Sequence, residues 1–597
     1  MLRLAALAAV AGLTFASCSG GHGASSLLPH GAAAPQSGAR AARDTAIVAP
    51  PGWAATATRG ATIANATDKG PLAATTPITV RLGLHLRNTD QLAAGIAAGQ
   101  VLSPQQFQAQ YGPTAAEVQS VVSYLQSQGF HNVKAGAQLV SADGTAAQAA
   151  KAFNTTLESF SLGGGNVYVN TAPALVPSSL DGVVTAVLGL TNAGKMAIRP
   201  DLSKVHSVAC LVTATPTGQC LPAFNAADVQ KFYDVGTVTD GSMTTVAVIA
   251  EGNVSQVLTD LQYAENKQGL PQVPVTVVQV GLPSPDTSGV VEWDLDTQSS
   301  TGMAQNVQSL MLYATTSLSD SDIASAYDKW VSDDAAKLGN SSFGECEYSA
   351  WLDGAMKVDD ALFMRAAGQG QTMFASSGDT GSACALAPTN GVPASGAPFV
   401  SYPASSPYVV AVGGTTVVAN ADGTYSGEAA WNAGGGGLSQ FENASSLQQG
   451  VAPNTGAVAA ANLRAVPDIA MAADAVSGAY NVYAPNIPGV GDCSSGCAIG
   501  GTSEASPLAM GASARFATNS AIHQTRRGYM GTYFYRDYNS HQSNATTVNG
   551  PPPTQALGGF HDVITGANGA YAALPGYDYT TGLGTLDVGV MNPQIAL

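Results

Sequence analysis

Apolar, strand-like segments alternate with helical stretches through the second half of this chain. Since parallel strands need a long crossover between them, usually a helix, the alternation predicts a mostly parallel sheet covered by helices. Chemistry on such sheets lies at the carboxyl ends of the strands. The predicted strands lie at 244–250, 275–280, 310–314, 372–376 and 408–412.

A separate α+β domain precedes this region. Thr114 and Glu117 form a predicted capping box, and an i, i+3, i+4, i+7 stripe of apolar residues follows as far as Leu125. A strand at 133–140 and a helix at 145–153 complete the core of the prediction. The domain spans about 120 residues, a usual size for an independent folding unit.

The start of the chain predicts export. Arg3 precedes an apolar run that is too short to span a bilayer, so residues 1–17 are predicted to be a signal peptide. Residues 15–18 resemble a lipoprotein cleavage site, which leaves secretion and a lipid anchor on Cys18 as alternatives. Residues 18–75, rich in Ala, Gly, Thr and Pro, are predicted to be a flexible linker. The net charge of −17 argues against a nucleic-acid partner.

Cysteine usage agrees with an oxidising compartment. Seven cysteines are present, and six remain for three disulfides if Cys18 is lipidated or removed. Zinc binding is the alternative interpretation of the closely spaced Cys493 and Cys497. The simplest pairing is Cys210 with Cys220, Cys346 with Cys384, and Cys493 with Cys497.

Ser503 is the candidate nucleophile. It follows Gly500, Gly501 and Thr502 and precedes an Ala-rich run that favours a helix. A helix N-terminus offers free N–H groups and partial positive charge, which suit an anionic intermediate. A helix-capping serine in a glycine-rich turn is the alternative.

The position of the histidines restricts the base that could activate Ser503. No histidine lies between residues 207 and 522, which disfavours the subtilisin and chymotrypsin orders of catalytic residues. His523, His541 and His561 remain as bases for a hydrolase-type triad.

Carboxylates are the other candidate bases. Glu292 and Asp296 are four residues apart, so on a helix both project from one face. Asp379 follows an apolar strand, at a predicted carboxyl end. A solvated acidic turn and an ordinary Asp-Thr-Gly turn are the structural alternatives for the two motifs.

The motifs of Ser503, of Glu292 with Asp296, and of Asp379 together resemble those of the sedolisins. These serine-carboxyl peptidases share the subtilisin fold and use glutamate where subtilisin uses histidine. The resemblance covers residues 77–597 and includes an activation propeptide similar to that of kumamolisin-like members. Gly500 departs from the serine common in the family. Further matching stretches lie at 102–104, 111–113, 402–408, 412–415, 431–437 and 464–468.

The resemblance implies that Ser503 is the nucleophile, Glu292 its general base, Asp296 the acid that orients Glu292, and Asp379 the oxyanion donor. A carboxylate can accept a proton in acid, where imidazole is already protonated. The resemblance also implies one structural Ca²⁺, since carboxylate and carbonyl oxygens in Gly-rich turns suit this ion. The implied ligands are Asp562 and Asp578 through side chains, and Val563, Leu574 and Gly576 through carbonyls.

The expected protein is therefore an exported zymogen that hydrolyses protein substrates in acid and is inhibited by its own propeptide. Its fold class is α/β, a subtilisin-like domain preceded by an α+β ferredoxin-like propeptide. The alternative is a non-enzymatic exported module that binds Ca²⁺ or adheres to surfaces. The predicted boundaries are signal 1–17, linker 18–75, propeptide 76–195, processing linker 196–221 and peptidase domain 222–597.

Overall fold

The computed structural model describes most of both predicted domains. The described residues are 46–63, 66–198, 201–202, 223–384, 399–449, 451, 462–522, 528–541 and 558–595. The predicted signal peptide, Cys18, the Cys210–Cys220 pair and most of the processing linker lie outside them.

The N-terminal domain is α+β, as predicted. Its central sheet is antiparallel with strand order β4-β5-β3-β9, and a second sheet has the order β2-β6-β7. The strands are β1 (Trp53–Ala55), β2 (Thr67–Pro71), β3 (Pro77–Leu84), β4 (His131–Ala135), β5 (Leu139–Thr145), β6 (Leu157–Leu162), β7 (Gly165–Asn170), β8 (Leu175–Pro177) and β9 (Val184–Leu188). The helices are α1 (Thr89–Ala97), α2 (Pro104–Gln110), α3 (Ala115–Ser127) and α4 (Ala146–Ala152), with a 3₁₀ turn at Ser178–Leu180.

Local sequence signals set the helix starts in this domain. Thr114 accepts from the Glu117 backbone N–H while the Glu117 carboxylate accepts from the Thr114 N–H, which confirms the predicted capping box. Thr145 caps α4 in the same way. The strand predicted at 133–140 is two strands, because a turn closed by the Gly136 N–H and the Leu139 carbonyl interrupts it.

The predicted flexible linker at 18–75 is wrong in its described part. β1 pairs with β8, and β2 pairs with β6, so the chain is built into the domain well before residue 76. These strands are three and five residues long, too short to show an apolar repeat. Their pairing partners, such as Pro177 for Trp53 and Phe160 for Asp68, lie far along the chain, which no local pattern reveals.

The C-terminal domain contains the predicted parallel sheet. The strands are β10 (Asp201–Leu202), β11 (Ala223–Phe224), β12 (Gly241–Glu251), β13 (Val275–Val280), β14 (Val307–Thr315), β15 (Leu338–Ser341), β16 (Glu345–Cys346), β17 (Thr372–Ser376), β18 (Ser401–Tyr402), β19 (Val409–Ala419), β20 (Tyr425–Ala430), β21 (Gly437–Asn443), β22 (Leu463–Val466), β23 (Ile469–Ala472), β24 (Ala479–Ile487), β25 (Gly491–Gly500), β26 (Phe560–His561) and β27 (Thr585–Leu586). The helices are α5 (Ala226–Phe232), α6 (Ser255–Gln268), α7 (Val290–Ala304), α8 (Asp320–Asp333), α9 (Glu347–Asp353), α10 (Ala355–Gly368), α11 (Ser446–Gln449), α12 (Thr502–Ile522), α13 (Met530–His541) and α14 (Val588–Ile595).

The main sheet has ten strands, with the order β13-β14-β12-β15-β17-β19-β23-β27-β26 and β20 beside β19. The strands from β13 to β27 in this order are parallel, and β26 and β20 pair antiparallel at one end and beside β19. All five strands predicted in this region are present. The antiparallel β24–β25 hairpin, which leads into α12, was not predicted.

The two central helices, α7 and α12, pack against each other. Every residue of α7 is buried, and α12 packs directly against it. Gly511 makes the close approach possible, because a Cβ there would lie 2.4 Å from the Ser300 carbonyl oxygen and 2.9 Å from the Met303 Cβ. The packing of α12 on α7 brings the segments that begin with Ser503 and Glu292 into one region.

Two of the predicted disulfides are present. Cys346 bonds Cys384, and Cys493 bonds Cys497, so the zinc alternative for the latter pair is wrong. Among the helices of the described ranges, none combines the length and the apolarity that a bilayer crossing requires.

The Gly511→Ala substitution is expected to lower the free energy of unfolding by about 1–3 kcal/mol, because the added methyl overpacks the α7–α12 contact. The measurement is urea or thermal unfolding of the purified precursor. Gly95→Ala in α1 is the matched control: its Cβ would meet only the end of the flexible Gln100 side chain, so stability should be unchanged or slightly higher. Equal stability of the Gly511→Ala protein and the wild type would contradict the packing argument.

Candidate active site

Ser503 lies at the start of α12 and is 2% exposed. The backbone reaches it from β25 through Gly501, whose φ of +113° is unfavourable for residues with a side chain. The Ser503 Oγ donates to the Ser342 carbonyl at 3.2 Å, and the Ser342 Oγ donates to the Ser503 carbonyl at 3.2 Å. These reciprocal bonds fix the nucleophile's turn to the end of β15.

Glu292 and Asp296 lie on α7, as predicted, and both are fully buried. Burial, followed by the negative charge of Asp296, raises the pKa of Glu292 well above its ordinary value. The neighbouring Ser503 hydroxyl acts in the opposite direction. In the described part of the chain, neither Glu292 oxygen accepts a hydrogen bond of ordinary geometry. The Ser503 hydroxyl therefore lies near enough to act on the Glu292 carboxyl, while its own hydrogen bond goes to the Ser342 carbonyl.

Asp296 is surrounded by polar groups that sequence reasoning missed. Burial raises its pKa well above the ordinary value, while the neighbouring Ser342 and Asn340 side chains act in the opposite direction. Asn340 donates to the Ser342 Oγ at 2.9 Å and accepts from the Ser506 Oγ at 2.6 Å. Asn340 and Ser342 lie at the carboxyl end of β15, and functional residues of parallel sheets are expected at this end of the strands.

Asp379 lies three residues after β17 and beside the start of α12. Its Oδ1 accepts from the Thr502 N–H at 2.8 Å and from the Thr502 Oγ1 at 2.7 Å. The other oxygen, Oδ2, is 2.8 Å from the point where a Gly501 Cβ would lie, and the Ser503 nitrogen is 3.6 Å from the same point. An N–H and a carboxyl oxygen therefore converge beside the nucleophile, where a protonated carboxyl would complete a two-donor oxyanion site.

The histidine alternatives receive no support from these contacts. His561 stacks on Tyr425, with ring centroids 3.7 Å apart, and lies 3.3 Å from an Asp587 oxygen. His541 lies 3.4 Å from an Asp537 oxygen. Neither makes a hydrogen bond to Ser503, and His523 lies outside the described residues.

The end of the N-terminal domain runs into the region of Ser503. Ala197 and Gly344 exchange both backbone hydrogen bonds, at 2.8 and 3.2 Å, as in an antiparallel ladder. Gly344 is two residues beyond Ser342, whose carbonyl accepts from Ser503. On the other side of residues 199–200, Asp201 in β10 pairs antiparallel with Gly500 in β25. The described residues before and after 199–200 thus pair with Gly344 and with Gly500, each near the turn that holds Ser503.

The rest of the domain interface carries charge as well. Arg81 of β3 donates to Asp322 of α8 at 2.8 Å and to the Ser321 hydroxyl at 3.1 Å. Both side chains of the ion pair are largely shielded from solvent. This pair joins the N-terminal domain to the helix that precedes β15.

The predicted calcium ligands lie together near the C-terminus. Asp562 accepts from the Gly576 N–H at 2.9 Å, and Asp578 accepts from the Leu574 N–H at 2.8 Å. The pKa of Asp562 is raised to about 7, chiefly by burial and to a smaller extent by the charge of Asp578, while the hydrogen bond from the Gly576 N–H opposes the shift. The described residues contain no group of three or more His, Cys, Asp or Glu side chains suited to a metal. An ion held here would need backbone carbonyls, such as that of Val563, in addition to the two carboxylates.

Family models match two parts of the chain. Residues 64–193 match the activation domain of pro-kumamolisin, and residues 286–534 match the subtilase family. The first match corresponds to the N-terminal α+β domain, and the second contains Ser503, Glu292, Asp296 and Asp379.

Individual relatives give the same answer. The chain is 36% identical to sedolisin from Pseudomonas sp. (strain 101) over 520 residues, covering 83% of this chain and 82% of the relative. It is 34% identical to xanthomonalisin from Xanthomonas sp. (strain T-22) over 580 residues, covering 86% of this chain and 65% of the relative's length. A solved structure of Pseudomonas sedolisin, a serine-carboxyl proteinase complexed with pseudo-iodotyrostatin, matches with a TM-score of 0.54 and 34% identity, over 62% of this chain and 98% of that one. The chain therefore belongs to the sedolisin family of serine-carboxyl peptidases.

Proposed function

We propose that this protein is an exported, acid-active endopeptidase, made as a zymogen that processes itself. The observation that carries the proposal is the convergence of Ser503, the buried Glu292–Asp296 pair and Asp379 at one edge of the parallel sheet. Sequence similarity to serine-carboxyl peptidases over more than four fifths of the chain supports it. Export rests on the sequence of residues 1–17.

Acylation begins at the Ser503 hydroxyl. When the hydroxyl turns from the Ser342 carbonyl toward Glu292, that carboxylate can accept its proton as the Oγ attacks the substrate carbonyl. The oxyanion receives hydrogen bonds from the Ser503 N–H and the protonated Asp379. Glu292 then donates its proton to the leaving amine, and a water molecule repeats the sequence to release the acyl group.

Acidic conditions suit the proposed role of Asp379. Asp379 has to be protonated in order to donate a hydrogen bond. A site that uses imidazole as its base at neutral pH has no such requirement. Glu292 and Asp296 are buried close together, so one proton shared between them avoids two adjacent buried charges. Their single negative charge supplies the base.

The pairing of the N-terminal domain on both sides of Ser503 supports inhibition by the propeptide. A segment that pairs with the backbone of Gly344 and Gly500 prevents other peptides from pairing there. Because Ala197 and Asp201 are paired near the nucleophile's turn, this segment supplies a peptide close to Ser503 for cleavage. The maturation cut is expected between residues 194 and 221, in agreement with this path.

Ser503→Ala and Glu292→Gln are each expected to lower peptide hydrolysis by at least about 10³-fold, because either change removes the proton transfer that creates the nucleophile. The double variant should lose little more than either single one, since the two residues act as a unit. The measurement is cleavage of a protein substrate at about pH 4, with self-shortening of the precursor followed on a gel.

Retained activity in Glu292→Gln, with loss in a variant of His523, His541 or His561, would contradict the proposed base. A precursor that neither shortens nor cleaves protein anywhere in the acidic range would favour the non-enzymatic alternative.

The Asp296→Asn substitution is expected to shift the acidic limb of the kcat/KM profile of the mature enzyme to higher pH. The limb reports the first proton lost from the Glu292–Asp296 pair, and the proton that Asp296 retains stabilises the Glu292 carboxylate that forms. An asparagine amide cannot share a carboxyl proton in this way, whereas burial still raises the pKa of Glu292, so the base forms at higher pH. Asp294→Asn is the matched control on the same helix, because Asp294 interacts with Asp260 instead. Identical limbs in Asp296→Asn and the wild type would refute the electrostatic coupling.

We also propose that Asp562 and Asp578 hold one structural Ca²⁺. Both carboxylates are largely buried, burial raises the pKa of each, and the charge of Asp578 adds to the shift of Asp562; hard oxygen ligands of this kind suit Ca²⁺. The carbonyls of Val563, Leu574 and Gly576 would complete the ligand set. Bound there, the ion would supply charge neutralisation and tie the C-terminal turns together.

Chelation with EDTA is expected to lower the midpoint of thermal unfolding, and added Ca²⁺ should restore it. In Asp578→Asn the midpoint should no longer respond to either addition, because one of the two charged ligands is gone. A wild-type midpoint that does not depend on Ca²⁺ would remove the site from the account.

A further inference from the structure

Thr502 makes three hydrogen bonds around Asp379. Its N–H and its Oγ1 both donate to Asp379 Oδ1, at 2.8 and 2.7 Å. The same Oγ1 accepts from the Gly378 N–H at 3.1 Å. Since the Gly378 N–H occupies the acceptor side of the hydroxyl, the hydroxyl proton is directed to Asp379. Thr502 is fully buried, so no water competes for these bonds.

Packing holds the Thr502 side chain in this orientation. Its methyl carbon lies 3.4 Å from the point where a Cβ of Gly414 would stand, so it packs against β19. A β-branched side chain has few staggered positions available, and burying the methyl selects one of them. In the rotamer that buries the methyl group, the hydroxyl on the other branch of the side chain points toward Asp379.

The two donors make the oxygens of Asp379 unequal. A protonated carboxyl has one carbonyl-type oxygen, which accepts readily, and one hydroxyl, which donates. Oδ1 already accepts two hydrogen bonds, so the carbonyl-type oxygen is Oδ1 and the proton belongs on Oδ2. Oδ2 is the oxygen beside Gly501, near the Ser503 nitrogen. Glu292 is the titratable group across from it, and the charge of Asp379 raises the pKa of Glu292.

We propose that Thr502 is a positioning residue that keeps the proton of Asp379 on Oδ2, facing the oxyanion. The inference rests on the proposed role of Asp379 as oxyanion donor and assigns the group that orients it. Thr502 acts through Asp379 and does not touch the reacting atoms with its side chain. Without the hydroxyl, the carboxyl could rotate or carry its proton on the wrong oxygen.

Thr502→Val and Thr502→Ser separate this role from simple packing. Valine keeps the shape and the backbone N–H but loses the hydroxyl, whereas serine keeps the hydroxyl. In Thr502→Val, kcat at the optimum should fall about 10- to 100-fold with little change in KM, as expected when an oxyanion donor is misaligned. Thr502→Ser should recover most of this loss.

The pH profile gives a readout that packing alone would not move. On the alkaline limb Asp379 loses its proton, and a donated hydrogen bond favours the carboxylate over the acid. Removing the Thr502 hydroxyl should therefore move this limb to higher pH, by about one unit for a hydrogen bond to a charged group. Thr502→Ser should keep the wild-type limb.

Three outcomes would overturn the proposal: an unchanged profile and kcat in Thr502→Val, equal losses in the valine and serine variants, or an alkaline limb that does not move. If a variant fails to mature, wild-type and variant precursors can be cleaved by a second protease. The affinity of each for a peptide aldehyde, which reacts with Ser503, then gives the same comparison. Asp379→Ala, which removes the donor to the oxyanion together with the acceptor of the Thr502 bonds, distinguishes the two levels of the argument. Full activity in that variant would remove the oxyanion role itself, whatever Thr502 does.

Discussion

Burial of two carboxyl groups on successive turns of α7 is the constraint on which the site depends. Glu292 and Asp296 are fully buried, and the pKa of each is raised above its ordinary value chiefly by that burial. Two ionised carboxylates so close together would be costly, so the pair retains a proton and offers one negative charge. In the proposed mechanism this pair supplies the base, and a protonated Asp379 is the second half of the catalytic machinery.

The surrounding fold places its glycines and polar groups to serve this pair. Gly511 lets α12 approach α7, and Gly501 turns the chain so that Ser503 and Asp379 meet beside it. Asn340 connects the nucleophile's helix to the environment of Asp296. The end of the N-terminal domain pairs with Gly344 and Gly500 near the same edge. In the proposed function, catalysis and inhibition therefore use one set of backbone edges.

Much of this arrangement could be predicted from the sequence, for identifiable reasons. Apolar strands and helix caps are local signals, and the missing histidines directed attention to Glu292. The supporting groups were not predictable. Asn340 becomes relevant only because β15 lies next to β12 and β17, and Thr502 only because Asp379 folds back onto α12 from 123 residues away in sequence. Strands β1 and β2 were not predicted, because the strands with which they pair lie far along the chain.

Neutron diffraction from crystals of the mature enzyme at acidic pH would test the central claim most directly, because it locates the protons. The account predicts a deuteron on Asp379 Oδ2, none on Oδ1, and a deuteron retained by the Glu292–Asp296 pair. An ionised Asp379, or two fully ionised carboxylates at positions 292 and 296 in the active pH range, would contradict it.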